Sequence, residues 1–171
     1  IKMCMQNNTG GNVINQVGGN VIFYSDAGST VGAGGQLDLN YNQQNNASST
    51  STYNLAGGVL TVPQIIATKT TGTSTFNFNG GTLKAAASST TFLQGLTAAN
   101  VQSGGAVIDT DGKNITLNQA LLDGGGSGGL TKLGAGTLLL NGINTYTGST
   151  VVSNGTLGGS GSLAGGLAVV S

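Results

Sequence analysis

The chain of 171 residues has no Glu, Arg, His or Trp, one Pro (Pro63) and one Cys (Cys4). Its only charges are five Lys and five Asp, which cancel at pH 7. Without His or Glu it lacks the commonest general acid/base groups and the usual metal ligands. That excludes zinc sites and Ser-His or Cys-His nucleophile pairs. The missing Arg and the zero net charge argue against nucleic acid or phosphate as a partner, since both need a basic surface. A lone Cys cannot close an internal disulfide, although pairing between chains through Cys4 stays open. No apolar run reaches the roughly 18 residues of a transmembrane helix, so no membrane span is expected. The start, Ile1 to Asn7, has neither an initiator Met nor the apolar stretch of a signal peptide. We therefore expect a processed protein or a piece of a longer one.

What is present is glycine and small polar residues. The chain holds 32 Gly, 22 Thr, 18 Asn and 15 Ser, about half of all positions. Such a composition can mean disorder. Three features oppose that reading. Hydrophobic residues make up 37% and the mean hydropathy is +0.12, too apolar for a solvated coil. The apolar residues come in short alternating runs. Proline and net charge, the usual company of disorder, are almost absent.

A repeat organises the chain. Gly-Gly pairs fall at Gly34-Gly35, Gly57-Gly58, Gly80-Gly81, Gly104-Gly105 and Gly128-Gly129, spaced 23, 23, 24 and 24 residues apart. A fixed period of this size signals a solenoid. Residues 52–62 lie over residues 75–85 without a gap: Tyr53 meets Phe76, Leu55 meets Phe78 and Leu60 meets Leu83. The same offset backwards places Gly34 to Leu39 over Gly57 to Val62. Tyr53/Leu55 and Leu60/Val62 alternate with period 2, so each segment reads as a strand with one apolar face. Gly-Gly permits a sharp corner between two such strands. A lone hairpin cannot bury that face, but stacked coils about 4.8 Å apart can. Leu55 and Phe78 would then share one interior row, and Leu60 and Leu83 another. Thr, Ser and Asn would face out or stack in hydrogen-bonded ladders. About seven coils fit the length, giving a rod of about 35 Å.

Helix signals are almost nil; Val101 to Ile108 and Ile115 to Leu122 can be read either way, and the best candidate for a helical turn, Leu93 to Asn100, is expected to sit on a solenoid corner. Residues 40–51 form a polar low-complexity stretch, expected to bulge as a loop. Gly10-Gly11-Asn12-Val13-Ile14 recurs after eight residues as Gly18 to Ile22. Gly-Thr-Leu recurs at 136–138 and 155–157, nineteen residues apart. One solenoid domain over 1–171 is expected, with irregular coils at 1–51, Gly-Gly coils at 52–127 and a distinct repeat at 128–171. The apolar alternation Ile1, Met3, Met5 at one end and the run Leu167 to Val170 at the other suggest uncapped edges, hence truncation or end-to-end self-association.

Residues 129–157 carry Leu130-Thr131-Lys132-Leu133-Gly134-Ala135-Gly136-Thr137-Leu138, then Asn144-Thr145-Tyr146-Thr147-Gly148, then Gly155-Thr156-Leu157. This stretch closely resembles the autotransporter-associated β-strand repeat of bacterial surface and secreted proteins. Residues 52–122 are similar to the Gly-Gly-Thr-Leu regions that precede it in giant surface proteins. The resemblance implies a right-handed parallel β-helix displayed outside the cell as a scaffold, and it implies no enzyme.

Several residues invite a sharper function. Asp109-Thr110-Asp111-Gly112 has the look of a calcium loop, but Ala120 stands where a closing carboxylate would fall. A tight turn at Asp111-Gly112 is the expected reading. Asp123 to Gly129 hints at a Gly-rich calcium repeat but occurs once, so a loop is expected. Asp109 and Asp111 could serve as a glycosidase pair, yet no Arg, His or Glu accompanies them. Thr68, Thr70, Thr71, Thr73 and Thr75 suggest an ice-binding face, but Thr91, Thr97 and Thr116 do not continue it. Tyr24, Tyr41, Tyr53 and Tyr146 are too scattered for a sugar platform. Sequons at Asn7, Asn46, Asn114 and Asn154 are expected by composition alone. The expectation is therefore an all-β, right-handed parallel β-solenoid of about 23–24 residues per coil, extracellular and structural. No catalytic, cofactor-binding or metal residues are assigned. Self-association is the expected partnership, and adhesion to a surface or polysaccharide is the alternative.

Overall fold

A computed structural model describes residues 2–4, 11–23, 35–39, 49–68 and 71–169. Its strands follow in chain order. The first are β1 (Lys2–Cys4), β2 (Gly11–Ile22), β3 (Gln36–Asp38), β4 (Thr50–Val62) and β5 (Ile65–Ile66). The middle coils hold β6 (Thr73–Phe78), β7 (Thr82–Ala85), β8 (Ser89–Gln94), β9 (Ala98–Val101), β10 (Ala106–Asp109) and β11 (Ile115–Leu117). Next come β12 (Leu121–Asp123), β13 (Leu130–Leu133), β14 (Thr137–Leu140) and β15 (Ile143–Asn144). The last are β16 (Thr150–Val152), β17 (Thr156–Gly158), β18 (Ser162–Leu163) and β19 (Leu167–Val169). No helix occurs among the described residues.

Among the described residues every strand pairing is parallel, and each middle coil contributes one strand to each of three faces. The first face stacks the N-terminal half of β4 on β6, β9 and β12. The second runs from the C-terminal half of β4 through β7, β10, β13, β16 and β19. The third is the seven-stranded order β1-β3-β5-β8-β11-β14-β17. The chain is thus a parallel β-solenoid, and among the described residues seven strands stack on its third face. β4 turns from the first face to the second within one strand, at Gly57-Gly58, where Gly58 has φ 69°. A side chain at Gly58 would strike the carbonyl oxygen of Gly19 in the coil above at 2.0 Å.

The 23-residue offset holds residue for residue: Tyr53 lies over Phe76, Leu55 over Phe78 and Leu60 over Leu83. All six are fully buried. The Tyr53 and Phe76 rings stack with centroids 5.4 Å apart and planes 12° from parallel. One interior row runs Val21, Leu60, Leu83, Ile108, Lys132, Val152. Another, on the third face, runs Leu37, Ile65, Leu93, Leu117, Leu140. The expected polar ladders are present too. Asn100 donates to Asn77 at 2.9 Å, Asn77 to Asn54 at 2.7 Å and Asn54 to Asn15 at 2.6 Å. Asn141 donates to Asn118 at 3.0 Å on another face.

Four expectations fail in whole or in part. Leu93 to Asn100 lies on a corner, as expected, but forms no helical turn: Leu93 pairs with Ile65 and Leu117, Gly95 turns the corner at φ 75°, and Ala98 opens β9. Stacking on both neighbours outweighs its weak helical pattern. The backward alignment of Gly34 to Leu39 on Gly57 to Val62 is also wrong, since Leu37 pairs with Ile65 and Asp38 with Ile66. The Asp38 carboxylate accepts hydrogen bonds from the amide and hydroxyl of Thr68, at 3.2 and 2.7 Å, which fixes β3 on the third face. It is β2 that lies over β4, 39 residues earlier, with Ile14 on Tyr53 and Val21 on Leu60. The polar stretch 40–51 ends sooner than expected: Thr50 and Ser51 belong to β4, and 40–48 lie outside the described residues. Coil length also departs from 23–24 toward the C-terminus. Leu130 pairs with Thr150, 20 residues on, and Thr150 with Leu167, 17 residues on.

Candidate functional site

The most constrained polar arrangement surrounds Lys132. Leu130 and Lys132 share the inward side of β13, so the side chain enters the row between Ile108 and Val152 and has no exposed surface. A buried ammonium must find acceptors for its donors. Its Nζ donates to Thr110 Oγ1 at 2.8 Å and to the carbonyls of Leu133 at 2.9 Å, Gly134 at 2.7 Å and Asn154 at 3.0 Å. Thr110, also buried, donates its own hydroxyl to the carbonyl of Ala135 at 2.7 Å. Among the described residues no carboxylate lies within ion-pair distance of Nζ. Burial pushes the ammonium below the usual lysine range, and the nearby Asp109 charge opposes this.

The glycines of the same stretch make room for this cage. Gly134 and Gly136 have φ of 75° and 98°, which turns the chain so that carbonyls point back at Nζ. A side chain at Gly155 would lie 2.4 Å from the Gly136 oxygen and 2.9 Å from Nζ itself. The Lys-x-Gly-x-Gly and Asn-Gly-Thr-Leu signatures are therefore two coils closing on one ammonium. Sequence reasoning missed this role. The parity of Lys132 with the apolar Leu130 was the available signal.

The second arrangement lies outside, on the second face. Thr61, Lys84 and Asp109 are consecutive outward neighbours. Lys84 Nζ stands 3.1 Å from Asp111 Oδ1 and 4.0 Å from Asp109 Oδ2, while Lys113 Nζ stands 3.5 Å from Asp111 Oδ2. These four residues edge a shallow groove of about 650 Å³ also lined by Asn20, Ile22, Val59, Thr61 and Thr82. The hydrogen bond from Lys84 holds the Asp111 carboxyl below its ordinary range, and the charges of Lys84 and Lys113 add to this against some desolvation. The expected turn is there: Asp111 and Gly112 have φ of 49° and 77°, and Lys113 N donates to Thr110 O at 2.8 Å. Both oxygens of Asp111 face ammonium groups. The quartet is neutral, and neither a calcium shell nor an unengaged carboxylate pair is assembled.

The remaining candidates fall into structural places. Asp123 Oδ1 accepts from Gly125 N at 2.9 Å, closing a loop in which Gly125, Gly126 and Ser127 all have positive φ. Thr73 and Thr75 lie beside Thr50 and Thr52, but the next coil places Ala98 beside Thr75, so the threonine ranks end. Thr70 lies outside the described residues, as do Tyr24, Tyr41, Asn7 and Asn46. Tyr53 and Tyr146 are core residues: Tyr53 donates to Gln16 Oε1 at 2.6 Å, and the Tyr146 hydroxyl meets Thr150 Oγ1 at 2.6 Å. Asn114 and Asn154 are exposed. Cys4 pairs with Asp38 in β1–β3.

Comparison with known proteins places this geometry. Residues 130–158, from β13 to β17, match the family model of the passenger-associated-transport-repeat. A 65-residue stretch, 38% of the chain, is 40% identical to the adhesin BmaC autotransporter of Brucella suis biovar 1. It spans 2% of that protein's length. No solved structure matches the chain at a significant level. The motif around the Lys132 cage and the family match fall on the same residues, so residues 130–158 carry a repeat of the autotransporter-associated kind.

Proposed function

We propose that this chain is a length of the rod of an autotransporter passenger displayed outside the cell, and that it is non-catalytic. The observation that carries the reading is that the matched repeat coincides with solenoid coils, built to stack on equivalent coils. The neutral quartet at Asp109 and Asp111 supports a scaffold over a hydrolase. In this reading contact with a surface or polysaccharide is made by the outer faces of the coils, the adhesin-type role that the name of the Brucella relative suggests. The notion of a fibre built by self-association is the second reading. Ile14 and Val21 at one end of the core, and Leu157 and Leu163 at the other, are only partly buried and would be covered by a further coil or a second copy.

Binding and electron microscopy on one purified preparation test both. Monomeric particles with saturable binding to cells or immobilised polysaccharide support the adhesin-type reading. Filaments without binding support the fibre. Monomers that bind neither, or hydrolysis of a polysaccharide abolished by Asp109→Asn, would overturn the proposal.

A further inference from the structure

We propose that the corner around Lys132 is a site for a primary ammonium ion that carries its own tethered occupant. Four neutral oxygens converge on Nζ within 2.7–3.0 Å: Thr110 Oγ1 and the carbonyls of Leu133, Gly134 and Asn154. They come from three successive coils, so the ammonium ties together segments that backbone pairing joins only two at a time. The oxygens are oriented before the lysine is considered. Glycines at 134, 136 and 155 set the carbonyl directions, and Thr110 Oγ1 is aimed by donating to Ala135 O. An apolar side chain would leave these acceptors facing each other with no donor. Four neutral oxygens, with no carboxylate in direct contact, favour a hydrogen-bonding monocation over a divalent metal.

The test is chemical rescue. Lys132→Ala removes three methylenes and the ammonium, the shape of n-propylammonium. Thermal melts of this variant in n-propylammonium chloride should rise in Tm with the logarithm of concentration, as for a ligand of the folded state. Melts in n-propanol, which lacks the charge, or tetramethylammonium chloride, which lacks the donors, should not show that rise. Neither wild type nor Lys132→Met, whose side chain fills the space, should respond. Equal responses to all three additives, or in all three proteins, would overturn the site. Should Lys132→Ala not fold, nitrogen-15 NMR of wild-type lysine side chains decides. One protonated NH3 group exchanging with water far more slowly than the other four lysines supports the proposal. Five fast-exchanging lysines, or a neutral amine at pH 7, refute it.

Discussion

Replacing Asn77 by Ala tests whether the outward asparagines act as a ladder or merely decorate the rod. Asn77 donates to Asn54 at 2.7 Å and accepts from Asn100 at 2.9 Å, so its removal breaks two bonds. Asn15, at the end of the ladder, takes part in one, accepting from Asn54 at 2.6 Å. A hydrogen bond contributes about 0.5–1.5 kcal/mol net. Asn77→Ala should therefore cost about 1–3 kcal/mol and Asn15→Ala about 0.5–1.5 kcal/mol, toward the low end because Asn15 is exposed. Urea unfolding followed by circular dichroism gives both values. A double-mutant cycle of Asn54→Ala with Asn77→Ala isolates the shared bond, with a coupling of about 0.5–1.5 kcal/mol. Asn154, exposed and outside the ladder, is the control. If Asn77→Ala costs no more than Asn154→Ala, or the cycle shows no coupling, coil-to-coil amide stacking is not a source of stability here.

Three further outcomes follow from the same packing. Burial pushes the Tyr53 hydroxyl up to about 12 from an ordinary value of 10.0, so its contribution is complete below pH 10 and is lost as pH rises toward 12. At 1.36 kcal/mol per unit this is about 2–3 kcal/mol, measurable by urea unfolding across that window, and Tyr53→Phe should flatten the loss. Gly155→Ala, with φ 77° and the Gly136 oxygen 2.4 Å from the new carbon, should cost about 2–4 kcal/mol. Gly112→Ala, where nothing lies within 4 Å of the new carbon, should cost only the backbone strain of about 1–2 kcal/mol; equal losses at the two sites would refute the crowding. Lys132→Met should cost about 2–5 kcal/mol in the same unfolding assay, since three carbonyls lose a charged donor; a neutral effect would mean that the cage contributes nothing.

The middle coils were legible because one offset governs both apolar parity and corner glycines. Tyr53, Leu55 and Leu60 each found the partner that alignment assigned them. The N-terminal part was not, because coil length there is set by polar residues without periodicity. Nothing in Gly34 to Leu39 distinguishes a second-face strand from a third-face one except Asp38, whose carboxylate needs Thr68. The shortening after Leu130 was visible only as the nineteen-residue Gly-Thr-Leu spacing, which the structure realises as Thr137 on Thr156 and Leu138 on Leu157. Lys132 escaped because a charged residue is ordinarily assigned to solvent. Its parity with Leu130 hints at burial, but two of its four acceptors, Thr110 and Asn154, lie in neighbouring coils that no local pattern displays.

The central claim is that residues 23 positions apart are neighbours across parallel coils. Spin labels at Thr52 and Thr75, which are partners on the outer surface of the first face, test it most directly in a Cys4→Ser background. Adjacent parallel strands place such positions about 5 Å apart at the backbone, so the continuous-wave spectrum should be strongly broadened. A label pair at Thr52 and Ala98, two coils apart, should show a clearly weaker interaction. Sharp, non-interacting spectra from the Thr52–Thr75 pair would contradict the stacked solenoid.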